Sequence, residues 1–302
     1  MLFSSSIPAK DGKTIFAVGT QRRGELVRYD AMSHLFVPYL SGISAYFVDS
    51  SRDGAWVTYV SYPELALWRS KPDDTERLQL TFPPMQALVP RWAPDGKSIA
   101  FMGAPPGRPF AFKIYLVSAE GGAPQQLIPG EGDEADPQWS PDGTQLLFGR
   151  WRSVLAGTET VSLRLLDLRT NQVSTVPGSE GLWSPRWSPD GRYVAALDLK
   201  GNLVLFGLKT QRRERLATGG VDEFNWSRDG KYIYFVGSGP EIAGAVLRVG
   251  VGDRKMERVA STKGLQLTGG LGTYLGLAPD DSPLLLRDRS IEEIYALGWE
   301  AH

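Results

Sequence analysis

Ser188 and Asp190 lie two residues apart in Trp187-Ser188-Pro189-Asp190-Gly191, placing a hydroxyl beside a carboxylate. Such a pair can belong to a nucleophilic site, but a serine nucleophile also needs a base beside it and a strained elbow that exposes it. The chain has two histidines, His34 and His302, and no Gly-x-Ser-x-Gly segment. His34 falls in DAMSHLFVPY, which reads as a peripheral turn between two strands. Histidine-held zinc would need several histidines. With no cysteine in the chain, thiolate catalysis, disulfides and Cys-ligated metals are excluded. No Walker or dinucleotide fingerprint follows a strand and opens a helix. Paired-carboxylate chemistry of the glycoside-hydrolase kind stays open, because 34 acidic residues are available.

A second reading of the same residues is mechanical. Proline presets φ, aspartate bonds back to the backbone, and glycine accepts a positive φ, so Ser-Pro-Asp-Gly is a complete recipe for a tight turn between strands. The motif recurs. Trp92-Ala93-Pro94-Asp95-Gly96, Trp139 to Asp142-Gly143, Trp187 to Asp190-Gly191 and Trp226 to Asp229-Gly230 are the strong copies. Weaker copies carry Asp11 and Asp53, and a degenerate one carries Asp280. Successive aspartates are 42, 42, 47, 48, 39 and 51 residues apart. A catalytic residue has no reason to recur in this way, whereas a turn and a tryptophan that fills the gap between repeats do.

A period in the forties suits a four-stranded propeller blade. Each Asp-Gly precedes an unbroken apolar run, such as Ile99-Ala100-Phe101-Met102 or Ile233-Tyr234-Phe235-Val236, as expected of a strand covered on both faces. A third strand ending in a Gly/Asn/Asp-rich turn and a more polar fourth strand follow. The expected architecture is a single all-β propeller of seven blades, spanning about 2–40, 43–81, 87–129, 133–177, 181–218, 221–261 and 265–302, the last with three strands. Six blades with an irregular tail is the alternative.

These repeats resemble TolB-like propeller repeats, relatives of the WD-repeat class. The resemblance rests on the four Trp-x-x-Asp-Gly copies and covers nearly the whole chain. It implies a non-enzymatic binding scaffold in many members. Similar propellers follow winged-helix or kinase domains in bacterial signalling proteins, and others accompany a peptidase domain.

Ligands of a propeller are expected on the face that carries the inter-blade connections, opposite the Asp-Gly turns. Its loops include 20–25, 61–66, 104–110, 150–160, 237–244 and 287–293, with lead-in segments at 42–47, 132–136, 181–184 and 220–224. Trp151 and Trp183 have no part in the repeat. With Arg150, Arg152 and Arg186, and with Tyr46 and Tyr62 on neighbouring segments, they form the candidate binding surface. Aromatic rings beside guanidinium groups suit a peptide, a sugar or an anion; the plainer reading is a loop covered by its own tryptophans. Asp133, Glu134 and Asp136 at one channel entry, with Asp222 and Glu223 at another, could hold a hard cation through oxygen, but a solvated acidic rim is the favoured reading.

Thirty-three basic against 34 acidic residues leave a net charge of −1, which argues against a dedicated nucleic-acid binder. No stretch approaches the length of a membrane span. The first residues lack a signal-peptide pattern, and the compartment, cytoplasmic or periplasmic, is left open. The expectation is a binding or sensor module for a protein, peptide or small ligand, without a cofactor. The alternative is a lactonase-like or glycan-cleaving hydrolase that uses channel carboxylates and a metal.

Overall fold

The structure is a computed structural model that describes residues 2–11, 13–104, 111–130, 133–150, 161–268 and 273–298. It is all-β, with one 3-10 turn at Leu40–Gly42. The N-terminal strands are β1 (Leu2–Pro8), β2 (Thr14–Gln21), β3 (Gly24–Asp30) and β4 (Leu35–Pro38). Five consecutive four-stranded antiparallel sheets follow. They are β5–β8 (Ala45–Ser50, Val57–Ser61, Leu67–Ser70, Leu78–Gln79) and β9–β12 (Gln86–Trp92, Ser98–Ala104, Lys113–Ser118, Gln125–Gln126). Next come β13–β16 (Ala135–Trp139, Gln145–Gly149, Arg164–Asp167, Gln172–Thr175) and β17–β20 (Leu182–Trp187, Tyr193–Asp198, Leu203–Gly207, Arg213–Ala217). The fifth is β21–β24 (Val221–Trp226, Tyr232–Gly237, Ala245–Gly250, Met256–Ser261). The chain then runs through β25 (Gly276–Leu277), β26 (Pro283–Asp288) and β27 (Ile291–Gly298).

Seven sheets result, six with four strands and one with three, in a β-propeller. The strands are dealt out differently from the expected boundaries at the seam between the chain's two ends. β3 and β4 do not stay with β1 and β2; they complete the sheet begun by β25 and β26, in the order β25-β26-β3-β4. β27, expected as the third strand of the last blade, pairs instead with β2 in the three-stranded sheet β1-β2-β27. The reason is local. Segment 20–25 is not a hairpin loop: Arg22 and Arg23 bend one strand without reversing it. β3 pairs with β26 from Arg28↔Leu284 to Gly24↔Asp288, and β2 resumes with β27 from Gln21↔Ile291 to Thr14↔Gly298, with no residue gained or lost on either side. At the bend Glu25 accepts from Arg287 and Arg289, each at 2.7 Å.

The core lies between sheets, as it must where each apolar run is covered on both faces. Val60, Leu67 and Leu80 of one sheet pack on Trp92, Ile99 and Phe101 of the next. Ala195, Leu197 and Leu205 meet Phe224, Ile233 and Phe235 in the same way. At the seam Leu26, Leu284 and Leu286 pack on Tyr46, Val57 and Tyr59. Each fully buried Phe or Leu contributes roughly 1.5–3 kcal/mol.

Four first strands share an irregularity. Phe47 (φ 52°), Val89 (φ 48°), Asp136 (φ 55°) and Ser184 (φ 50°) take left-handed backbone. Each falls where the pairing register of its strand shifts. A β-branched residue such as Val89 avoids this region unless its surroundings impose it. Its recurrence at one position of the repeat marks a built-in β-bulge that re-aims the residues after it.

Candidate functional site

In four of the turns after the first strands, a serine hydroxyl donates to the aspartate two residues on: Ser51 to Asp53 and Ser140 to Asp142 at 2.6 Å, Ser188 to Asp190 at 2.7 Å, Ser227 to Asp229 at 2.8 Å; Ala93 and Ala278 hold that position in two others. The same oxygens accept the main-chain N–H groups of Trp56, Gln145, Tyr193 and Tyr232 at 2.9–3.0 Å. These hydroxyls are committed to the turn. Gly143, Gly191 and Gly230 have φ of 73°, 75° and 70°. Each also abuts the proline of the preceding turn: a Cβ there would stand 3.5 Å from Pro94, 3.3 Å from Pro141 and 3.5 Å from Pro189. Proline of one sheet thus rests on glycine of the next.

The tryptophans before the turns also bridge sheets. Trp139 Nε1 donates to Arg91 O at 3.0 Å and Trp226 Nε1 to Arg186 O at 2.9 Å. Trp187 departs from this, donating to its own turn at Gly191 O, 3.2 Å.

The turns ring the mouth of a funnel of about 600 Å³, lined by the first strands of six sheets. Arg52, Pro94, Pro141, Pro189, Arg228 and Pro279 stand at the mouth. Further down, the residue just before the tryptophan position lines the funnel: Asp49, Arg91, Gln138, Arg186, Asn225 and Gly276 in order around the ring. At Gly276 the space is taken by the Tyr274 hydroxyl, which accepts Val48 N–H at 2.9 Å.

This floor is charged and largely buried. Arg186 is 3% exposed. Its Nη2 donates to Glu223 Oε1 at 2.8 Å, and its Nη1 lies 3.8 Å from Asp136 Oδ1. Asp49 Oδ2 accepts Trp92 N–H at 2.7 Å, and Arg91 donates to Pro90 O at 2.9 Å. Burial pushes the Asp49 and Glu223 carboxyls above their ordinary range against the pull of the arginines. Burial likewise lowers Arg91, with the like charge of Arg186 adding to the effect. Trp92 Nε1, Gln138 Nε2 and Arg186 Nε are buried donors that the protein leaves without a partner.

Among the described residues, those expected to form a binding surface do not come together as one. Trp151 and Arg152 lie outside the described residues. Arg150 is half-buried just after β14. Trp183 packs against an inter-sheet core and donates to Asp198 O at 3.0 Å. Tyr46 and Tyr62 are core residues, edge-to-face at 5.1 Å; their segments are strand and strand end, where aromatic side chains fill the gap between sheets. Arg186 is in the channel rather than on the connection face.

The acidic run is divided as well. Glu134 is buried against Lys113 Nζ at 3.1 Å, while the bulge turns Asp136 toward Arg186. Asp133, Glu134 and Asp136 therefore share no cation position, and no group of three metal-ligating side chains occurs among the described residues. Aromatics outside the repeat do not mark the funnel. The signal in the sequence is the position just ahead of the tryptophan position, which changes from copy to copy while the turn after it stays similar.

No family model matches the chain. YuxL, an uncharacterized peptidase of Bacillus subtilis, is 31% identical over 152 residues, 48% of this chain and 21% of that protein. The match thus spans about a fifth of that relative's length. A putative TolB from Agrobacterium tumefaciens superposes with a TM-score of 0.69 at 18% identity, covering 89% of this chain and 99% of the other. An oligogalacturonate lyase in complex with manganese gives 0.59 at 13% identity, covering 95% and 96%. At such identities these two likenesses speak for the fold.

Proposed function

The chain has the TolB-like β-propeller fold, and from that premise we propose that it is a non-catalytic binding module that receives a segment of a protein or peptide partner in the funnel at its turn face. The observation that carries this reading is the convergence of six first strands on one concavity of about 600 Å³. That volume lies within the ordinary range of ligand sites. A rim of prolines with exposed Arg52 and Arg228 supplies rigid apolar contact with charge at two points. Such a surface suits an extended or looped segment more than a flat partner.

The alternative, metal-assisted cleavage, has less support. The channel carboxyls are engaged with Arg186 and with the Trp92 main chain, leaving no open coordination set among the described residues.

The test is photo-cross-linking from the two faces. A photoreactive residue at Arg52 or Pro189 should capture a discrete partner that a probe at Glu64, on the connection face, does not. Capture from position 64 alone would move the site to the other face.

A further inference from the structure

Three unpartnered donors lie on three adjacent first strands: Trp92 Nε1 on β9, Gln138 Nε2 on β13 and Arg186 Nε on β17. All three residues line the funnel, and Trp92 and Arg186 are 6% and 3% exposed. A buried donor without an acceptor is costly, and native proteins rarely leave several together. Ser50 Oγ on β5, also in the lining, is a fourth unpartnered group, and its hydroxyl can donate as well, so an oxygen acceptor is what would satisfy all four. Arg91, on the same side of the floor, spends one bond on Pro90 O of its own strand and makes no ion pair among the described residues.

Building on the funnel as the binding site, we infer that its floor between β9, β13 and β17 is a receptor for a carboxylate group of the incoming peptide. Two oxygens with about four lone-pair directions match three N–H donors and an available guanidinium. A lysine or amino terminus would bring further donors to a place that already has too many. The carboxyls nearby do not forbid an anion. Asp136 and Glu223 face the Nη atoms of Arg186 and leave its buried Nε without a partner, and Asp49 is held by the Trp92 main chain.

The experiment uses the whole chain with ¹⁵N-labelled indoles, assigned by Trp→Phe variants. It is titrated with N-acetyl-trialanine as the free acid and as the carboxamide. The free acid should move the Trp92 indole resonance saturably and bind about tenfold more tightly than the amide, as charge-assisted bonds require. Gln138→Leu, which removes the side-chain amide, and Arg186→Lys, which removes the Nε donor along with the planar guanidinium, should weaken the acid by roughly fivefold. If Arg186→Lys loses its near-UV circular dichroism, the half-buried Gln138 carries the test alone. Equal binding of acid and amide, or an unchanged affinity in Gln138→Leu, overturns the carboxylate receptor while the funnel reading stands. If neither peptide moves the indoles of Trp92, Trp139, Trp187 or Trp226, both ideas fall.

Discussion

The ring of turns at the funnel mouth and the ring of side chains on its floor are built from the same strands, three residues apart, yet they behave oppositely. The turns repeat: serine on aspartate, glycine at positive φ, proline resting on the next glycine. The floor does not: Asp49, Arg91, Gln138, Arg186, Asn225 and Gly276 are nearly all different. The turn carboxylates of Asp53 and Asp142 are solvated and held low by hydrogen bonds, whereas the floor carboxyls of Asp49 and Glu223 are buried and pushed up. Residues that every sheet needs equally serve the architecture. A position that the fold leaves free to differ can serve a ligand.

The sharpest way to break this contrast is at Arg186. Arg186→Met strands Glu223 and Asp136 in the channel without their cation and should cost about 3–5 kcal/mol in urea unfolding. Adding Glu223→Gln should restore part of that loss. A turn substitution of comparable cost would mean that the two rings are not distinct. The next largest effect is expected at the turn glycines. Gly191→Ala forces alanine into a φ of 75° and against Pro141, for about 1–2 kcal/mol. Gly96→Ala has an equally positive φ but no neighbour within 4 Å, so thermal unfolding should show a smaller loss.

Ser188→Ala removes one turn hydroxyl and should cost only about 1 kcal/mol by the same measurement, with peptide binding unchanged. Altered binding would tie the turn to function.

Acidification should separate the rings by sign. Asp229 is lowered to about 2, first by the Lys231 N–H and then by the Ser227 hydroxyl. Its stabilisation is therefore complete above the unfolded carboxylate value near ~3.9 and lost as pH falls through the folded one. The advantage of wild type over Asp229→Asn should shrink between about pH 5 and pH 2. Asp49 is raised instead, so its charged form opposes folding above its folded value. Wild type should therefore lose ground to Asp49→Asn as pH rises.

Much of the fold was legible because turn chemistry and strand periodicity are local. Trp-x-x-Asp-Gly and the apolar run after it mark a turn and a doubly covered strand in any copy. The seam was not legible, because nothing local says whether β3 pairs with β2 or with β26. Arg22-Arg23 looks like a hairpin loop until the partner of Leu26 and Val27 is known. The floor was half legible: the variable residue is visible ahead of each tryptophan, but its burial depends on a bulge at Val89, Asp136 or Ser184 that no residue preference announces. Tyr46 and Tyr62 show the converse, since an aromatic beside a loop gives the same signal whether it faces solvent or the next sheet.

The in-register ribbon formed by β2 and β3 with β26 and β27 also has a kinetic consequence. It joins residues separated by most of the chain, from Arg28↔Leu284 outward to Thr14↔Gly298, while every other sheet assembles from neighbours in sequence. During synthesis five sheets can be complete while the ring still stands open, with Leu26 and Val27 uncovered until β26 emerges. Loop-closure entropy grows only by about 0.6 kcal/mol per doubling of length, so such a clasp costs little at equilibrium. In time, however, it is the non-local step on which cooperative closure of the whole ring waits.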